Sequence, residues 1–340
     1  MFNAFDVIII GGGPGGYKVA ELLGREHLKV ALIEEKDLGG VCLNQGCIPF
    51  KSYIYPAKVL HEARRLSSLG LLHTFGIDID QRQLFAYKTG IVEALRKSVK
   101  GMLQHFGVSL FHGRATVIDE QNDREIQGIP FHVCINNGSN NEVIEASNLV
   151  IASGSDERRF EIPKNLSYKI IGSKEMLELT QIPEEIDIIG AGVIGLEAAS
   201  YFCDAGSKVT LIEALSHIGG NIDTEVAQSL KNIFEKKGIT ILTEVRLENF
   251  EQDRIVFKKQ GGESFFRETN VVLTALGRVP SVDINACQRL GIEYDLKSGI
   301  VINEKCQTTN PRVFACGDVT GKLMLAHTAY HQAKVIADTI

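Results

Sequence analysis

DVIIIGGGPGGYKVAELLGREHLKVALIEE, residues 6–35, is the stretch whose reading decides the fold. Residues 7–10 form a short β-branched run, the pattern of a strand buried on both faces. Gly11-x-Gly13-x-x-Gly16 follows, then a helical stretch through Leu23 and a second strand, 30–33, that ends at Glu34. Strand, glycine turn, helix and acid in that order predict a dinucleotide-binding βαβ unit. Gly11 suits the tight turn after the strand. Gly13 lets a pyrophosphate approach the backbone, and Gly16 lets helix and strand pack closely. The helix N-terminus then turns free N–H groups and the positive end of its dipole toward the phosphates. Glu34 stands where an acid accepts hydrogen bonds from ribose hydroxyls.

The same pattern returns in residues 186–213, IDIIGAGVIGLEAASYFCDAGSKVTLIE. Gly190-x-Gly192-x-x-Gly195 ends at Glu213, and the first glycine stands 23 residues before the acid in both copies. Two βαβ units of equal spacing imply two dinucleotide sites. A carboxylate at Glu213 bonds a 2′-hydroxyl and repels a 2′-phosphate, and no arginine stands at 214–217, so this copy favours NAD over NADP. Helical segments are expected at 56–69 and 91–106. Strands are expected at 108–111, 149–151, 239–242, 255–257, 271–275 and 313–315. The fold class is therefore α/β, with two Rossmann-like units, the second inserted in the first.

Composition narrows the function. The 340 residues suggest two or three domains, each able to bury a core. A net charge of −6 with no Lys/Arg stripe argues against nucleic acid or an anionic membrane surface as partner. The N-terminus has no basic segment, and 7–10 is too short for a signal peptide or a membrane span. The chain is expected to begin with its first strand, in the cytoplasm. Seven cysteines without framework spacing argue against a secreted disulfide scaffold. Cys134, Cys203, Cys287, Cys306 and Cys316 are expected to be buried thiols, and no metal site is expected.

Only Cys42 and Cys47 are close in sequence, in GGVCLNQGCIPFK, residues 39–51. A pair five apart closes a small ring with little loop entropy at stake. The spacing is not that of a zinc ligand pair. Taken alone it suits two buried thiols as well as a redox pair; its place just after a nucleotide-binding unit decides for redox.

The first glycine motif, GGVCLNQGCIPFK, GAGVIGLE (190–197), TALGRVP (274–280), VFACGDV (313–319) and LMLAH (323–327) occur in this order. Together they resemble the pyridine nucleotide–disulfide oxidoreductases, and within them the dihydrolipoamide dehydrogenases most closely, over essentially the whole chain. The resemblance implies FAD in the first unit, NAD in the second, and a redox-active disulfide. Residues 1–155 are then the first part of an FAD domain, 156–280 an NAD domain, and 281–340 a return segment completing the first.

By the same resemblance Cys42 is similar to the interchange thiol that meets the substrate, and Cys47 to the thiol against the flavin. Lys51 resembles the lysine beside the flavin, paired with Glu197. FAD contacts are implied for Gly11, Gly13, Pro14, Gly15, Gly16, Glu34, Gly40, Lys51, Ala115, Ser153, Gly154, Asp318 and the peptide Met324, Leu325, Ala326, His327. NAD contacts are implied for Gly190, Gly192, Val193, Ile194, Gly195, Glu213, Val245 and Gly277. The implied reaction passes electrons from a dihydrolipoyl dithiol through Cys42/Cys47 and FAD to NAD⁺. The substrate is a lipoyl-bearing protein or a small dithiol. Two other readings are an FAD/NAD(H)-binding redox core with diaphorase activity or a regulatory role, and a reductase of another disulfide or of a mercuric substrate.

Three departures from the family pattern stand out. Phe50 replaces a small residue before Lys51, the hinge at 156–160 lacks a proline, and no C-terminal interface domain is present up to Ile340. That domain makes the family's homodimer and donates a His–Glu pair that serves the substrate thiol as base. Without it the expectation is weak dimerisation and slow dithiol turnover at neutral pH.

Overall fold

Residues 7–10 form the C-terminal half of the strand Asn3–Ile10, and Val7, Ile8 and Ile9 have no exposed surface. The computed structural model describes residues 3–73, 76–118, 130–138, 140–158 and 160–340. The expected chain start at Met1 and residue 159 of the 156–160 hinge lie outside the described residues. By packing, the chain divides into two compact units. The first comprises the residues up to 44, 92–156 and 278–340; the second comprises 45–91 and 157–277.

In the first unit a seven-stranded sheet runs Ser109–His112, Val30–Glu34, Asn3–Ile10, Asn141–Ile151, Phe131–Asn136, Arg114–Val117, with Val313–Ala315 also paired to Asn141–Ile151. Asn141–Ile151 is the hub. One edge lies parallel to Asn3–Ile10. Its other edge pairs first antiparallel with Phe131–Asn136, then parallel with Val313–Ala315. The sequence changes character at the same place. Ile144 and Ala146 alternate with more exposed neighbours along the antiparallel half, whereas Leu149, Val150 and Ile151 are all buried between parallel strands. The expected strand 149–151 is thus the buried end of a longer one. Helices Pro14–Arg25 and Ala326–Thr339 pack against one another and add Val19, Ala20, Leu23, Ala333 and Ile336 to the core.

In the second unit five parallel strands run Thr240–Leu242, Lys208–Ile212, Glu185–Ile189, Val271–Thr274, Lys169–Ile171. Both units are Rossmann-like α/β sheets, as expected. Helices Val193–Ala205 and Cys47–Ser68 share a core with that sheet, where Tyr53, Tyr201 and Phe202 are almost wholly buried. An antiparallel meander, Val245–Phe250, Ile255–Lys259, Ser264–Arg267, completes the unit. Arg267 ties it to the parallel sheet. Its Nε and Nη2 donate to Asp187 Oδ2 at 2.8 Å and Oδ1 at 2.9 Å, and Nη2 also donates to Thr210 Oγ1 at 3.0 Å. Asp187 is 2% exposed, so its charge depends on that guanidinium.

Two helices begin earlier than expected. The segment expected at 56–69 is the helix Cys47–Ser68, with Pro56 inside it. Pro56 is therefore not a start signal; Pro49, in the first turn where N–H groups have no intrahelical partner, is. The segment expected at 91–106 is the helix Gln81–His105. Asp80 Oδ1 accepts from the N–H groups of Arg82 at 3.0 Å and Gln83 at 3.1 Å, an N-cap three residues before a glutamine. Among the described residues no helix is long and apolar enough to cross a membrane.

Arg267→Met leaves Asp187 buried and uncompensated. The expected loss is about 3 kcal/mol, the lower end of the range for broken buried pairs because Arg267 is itself partly exposed. Asp187→Val combined with Arg267→Met should recover most of it. Urea unfolding followed by circular dichroism reads both, and equal midpoints for the single and double variants would show that the pair does not tie the meander to the sheet.

Candidate functional site

Four parallel strand ends lie side by side in the first unit. Ile10 pairs with Ile33 and with Ile151, and Ile151 pairs with Ala315. The chain leaves these ends as the Gly11 turn, Glu34, Ala152-Ser153-Gly154 and Cys316-Gly317-Asp318. In open α/β sheets the carboxyl ends of the strands are where ligands bind. The structure thus brings together most of the residues expected to hold FAD.

Gly11 sits at φ +106°, and a Cβ there would lie 2.3 Å from the carbonyl oxygen of Ala152. A Cβ on Gly16 would lie 1.8 Å from the carbonyl oxygen of Gly11, so only glycine lets the helix begin where it does. Gly13 caps the helix Pro14–Arg25 without a side-chain bond, and its first turn carries no acid. The turn therefore presents N–H groups and a positive dipole end. Glu34 braces it. Oε2 accepts from the Gly12 N–H at 2.7 Å and Oε1 from the Lys36 N–H at 2.8 Å, which leaves each oxygen a further lone pair. Gly40, at φ +58°, closes on the turn; a Cβ there would stand 2.7 Å from Gly13 Cα. Gly113 donates to the carbonyl of Glu34 at 2.9 Å, which places half-buried Ala115 two residues from the same strand end.

The second unit repeats this geometry. Ile189 pairs with Ile212 and Thr274, and Gly190, Glu213 and the run Ala275 to Gly277 follow those ends. Gly190 sits at φ +102°, with Cβ clearance to the Ala275 carbonyl of 2.4 Å. Gly195 would meet the Gly190 carbonyl at 1.9 Å. The caps are near-identical, φ −74° and ψ −175° at Gly13 against φ −74° and ψ −172° at Gly192. Glu213 Oε2 accepts from the Ala191 N–H at 2.7 Å and Oε1 from the Leu215 N–H at 2.9 Å. A Cβ at Gly192 would meet nothing within 4 Å, and Val193 is exposed, so this turn is open. Ile194 is part of the core packing behind it. Val245, buried, donates to the Glu213 carbonyl at 2.9 Å. Gly277, at φ +87°, accepts from the Arg158 N–H at 3.1 Å.

Asp318 is the second residue of a 3₁₀ turn, Gly317–Thr320. Its Oδ2 accepts from Ser155 Oγ at 2.6 Å, and Ser155 Oγ accepts from Arg278 Nε at 2.7 Å. Gln332, buried, accepts from the Gly317 N–H at 2.7 Å and holds the turn from the following helix. Ser153 Oγ donates to the Ser281 carbonyl at 2.7 Å, and Gly154 sits at φ +76° facing open space. Met324 and Ala326 are half-buried and Leu325 and His327 exposed at the entry to the helix Ala326–Thr339.

Cys42 lies in the short helix Gly40–Asn44 and Cys47 at the first position of Cys47–Ser68. Asn44 staples the loop before Cys42. Its Nδ2 donates to the carbonyls of Gly40 at 2.9 Å and Leu38 at 3.1 Å, and its Oδ1 accepts from Arg96, which also pairs with Asp37 at 3.0 Å. Asn44 and Arg96 were not among the expected residues. Asn44 stands inside GGVCLNQGCIPFK, and a side-chain amide two residues after a cysteine in a glycine-rich loop is a turn signal. Ser155, Arg278 and Gln332 were also missed, and no local pattern marks them.

Lys51 Nζ lies 3.1 Å from Glu197 Oε1, between the helices Cys47–Ser68 and Val193–Ala205. The pair is largely exposed, so it contributes under about 1 kcal/mol and its role is placement of a charge. Phe50 is buried and packs on the edge of Tyr201, ring centroids 5.9 Å apart.

The remaining thiols divide by burial. Cys287, Cys306 and Cys316 are buried as expected, whereas Cys134 and Cys203 are only half-buried. Burial pushes the Cys316 thiol up to about 12 and the Cys287 thiol up to about 11, and raises Cys203 and Cys306 as well. None of these four is a thiolate at neutral pH, and the thiolate is the nucleophile.

The family model described as pyridine nucleotide-disulphide oxidoreductase matches residues 5–333. The chain is 34% identical over its whole length to the dihydrolipoyl dehydrogenase of Chlamydia pneumoniae, covering 71% of that protein. It is 32% identical over 98% of its length to that of Acholeplasma laidlawii, covering 95%. Its fold is similar to that of the HOCl-induced flavoprotein disulfide reductase RclA of Escherichia coli in its Cu(II) complex. That likeness has a TM-score of 0.82 at 24% identity, over 99% of this chain and 70% of that one. Members of this group use FAD and NAD(P). With both glycine turns and the cysteine loop inside the matched span, the chain belongs to the pyridine nucleotide-disulphide oxidoreductase family.

Proposed function

We propose that the chain is a disulfide oxidoreductase of the dihydrolipoyl dehydrogenase type, with FAD held by 1–155 and 281–340 and NAD by 156–280. The observation that carries this reading is the duplicated strand-end turn, each copy with an uncapped helix N-terminus and an acid bonded to the turn's N–H. The residues present fit two dinucleotides: the glycines leave backbone where a Cβ would block it, and neither first turn carries an acid to repel a pyrophosphate.

Glu34 and Glu213 each keep lone pairs for ribose hydroxyls. Asp318, oriented by Ser155 and Arg278, would accept hydrogen bonds from the hydroxyls of the flavin's side chain. Lys51, held by Glu197, is the cation that would stabilise negative charge on a bound flavin. Bound FAD supplies two-electron chemistry linking a dithiol–disulfide couple to hydride transfer.

Cys42 and Cys47 act as one redox pair. A substrate thiolate attacks Cys42 Sγ, the Cys42–Cys47 bond breaks, and Cys47 leaves as thiolate. The second substrate thiolate then attacks its own sulfur in the mixed disulfide, releasing Cys42 and the oxidised substrate. Two electrons pass onward and the pair returns to the disulfide. The overall change is dithiol + NAD⁺ → disulfide + NADH + H⁺. A dihydrolipoyl group, free or protein-borne, is the substrate, and a cytoplasmic setting suits a pair that must be reduced and reoxidised in turn.

The purified protein should retain about one FAD per chain, read as flavin absorbance after denaturation. A protein that takes up no flavin on incubation with FAD would overturn this reading.

Cys42→Ser should abolish dithiol oxidation while leaving NADH oxidation by an artificial acceptor intact. Alkylation before and after reduction with NADH should label two more thiols in the wild-type chain and none more in the variant. Equal labelling of both by mass spectrometry contradicts the redox role of the pair.

NADH should bind at least about tenfold more tightly than NADPH, since a 2′-phosphate would meet the Glu213 carboxylate. Glu213→Gln should narrow that ratio. Equal dissociation constants in the unmodified chain count against the assignment of Glu213.

A further inference from the structure

We infer that Glu244 is a second specificity-determining residue of the nucleotide site in the second unit, adding to Glu213 in the exclusion of a 2′-phosphate. The inference rests on the reading of that unit as an NAD site. It starts from a backbone outlier. Glu244 sits at φ +59°, the left-handed region that glycine occupies freely and a glutamate does not. Its neighbours hold it there. The Glu244 N–H donates to the Leu215 carbonyl at 2.9 Å, and its own carbonyl accepts from the Gln260 N–H at 3.0 Å.

The position is fixed to the acid that faces the ribose. Leu215 donates its N–H to Glu213 Oε1 at 2.9 Å and accepts from Glu244 through its carbonyl, while Val245 donates to the Glu213 carbonyl at 2.9 Å. Glu213, Leu215, Glu244 and Val245 therefore form one hydrogen-bonded ring at the end of the strand Lys208–Ile212. The Glu244 side chain is exposed, and its carboxylate makes no hydrogen bond or ion pair within the described residues. Packing does not explain why a glutamate occupies a position that glycine would fill without strain. A strained backbone that displays an unpartnered charge beside a proposed ligand site points to a role in recognition.

The surrounding cations sharpen the effect. Lys258 pairs with Glu248 at 3.8 Å, and Lys259 pairs with Glu263 at 3.8 Å and lies over the Phe265 ring. Arg246, two residues along the strand Val245–Phe250, is exposed and has no such partner among the described residues. A lone arginine at this edge would draw a 2′-phosphate. Glu244, within a screening length of Arg246 and on the same strand entry, offsets it. The two acids then act differently. Glu213 accepts a hydrogen bond from the ribose, whereas Glu244 contributes charge alone and acts only against the phosphorylated nucleotide.

The test uses the full FAD-loaded chain and titrates NADH and NADPH by nucleotide fluorescence at low and high salt. Glu244→Gln should tighten NADPH binding about threefold to tenfold and leave NADH unchanged, and Glu244→Lys should go further. Both gains should shrink at high salt, as a charge effect requires. Glu244→Gly keeps the positive φ without strain, so the variant folds, and it should match Glu244→Gln. An unchanged NADH/NADPH ratio in all three variants overturns the proposal. So does an equal loss of both nucleotides, which marks Glu244 as structural. If the unmodified chain binds neither nucleotide, the NAD reading of the second unit fails and this proposal fails with it; that outcome is separable because no variant is needed to see it.

Discussion

Helix and strand meet in each unit with no space for a side chain between them. The carbonyl oxygen of Gly11 lies 1.8 Å from the place where a Cβ on Gly16 would stand, and that of Gly190 lies 1.9 Å from the same place on Gly195. This close approach brings the helix N-terminus down onto the strand end. It also leaves the turn N–H nearest the second strand free to be taken by Glu34 or Glu213. Every other site feature is placed relative to that contact. In the first unit the ends of Asn141–Ile151 and Val313–Ala315 stand in register with it and deliver Ser153 and Asp318 beside the turn. Substitution of either inner glycine would push the helix outward and move the whole set.

How much of this was legible in the sequence depended on whether a signal was local. The glycine turns, their acids and the buried parallel strands were legible because each rests on a few consecutive residues with one physical requirement. The long strand Asn141–Ile151 was half legible. Its apolar end reads as a buried strand, but the first half carries Asn141, Glu142 and Glu145 and reads as loop. The helix Cys47–Ser68 was read short, as 56–69, although Pro49 marks its first turn. The structure accommodates Pro56 within the helix, at the loss of one backbone bond from Ser52. Ser155, Arg278 and Gln332 were beyond sequence reasoning altogether. Their partners are 123 to 163 residues away for Ser155, and only the fold brings them to Asp318.

The cysteines show how burial sorts chemistry from packing. Cys316 stands among the strand ends of the first unit, close enough that a Cβ on Gly15 would lie 2.8 Å from its sulfur. Position alone makes it look functional. Burial instead holds its thiol neutral, and its contact with Gly15 is a reason for that glycine, not a reactive group. Cys42 and Cys47 differ in kind. One is half-buried in the short helix Gly40–Asn44 and the other exposed at the start of the helix Cys47–Ser68, and Asn44 and Arg96 fix the loop that leads into the first of them. The bonds of Asn44 and Arg96 order the loop before Cys42, whereas Cys287, Cys306 and Cys316 are buried in the core.

The two turns share one backbone geometry and differ in what surrounds them, and the difference suits two kinds of ligand. At the first, Gly40 folds over Gly13, with backbone of one within van der Waals reach of the other, and Asp318 and Ser153 arrive from neighbouring strands. A nucleotide seated there is enclosed from several sides, which lowers its rate of escape and suits a resident cofactor. At the second, Gly192 faces open space and Val193 is exposed. A nucleotide bound there would meet fewer neighbouring elements at the turn than one at the first. Duplicating one βαβ unit supplies the same phosphate cradle twice. The loops that follow it are tied to their turns alike, Gly39 donating to the Gly12 carbonyl and Gly219 to the Ala191 carbonyl, both at 2.8 Å; they differ in the next glycine, since Gly40 closes on Gly13 and Gly220 meets no neighbour within 4 Å.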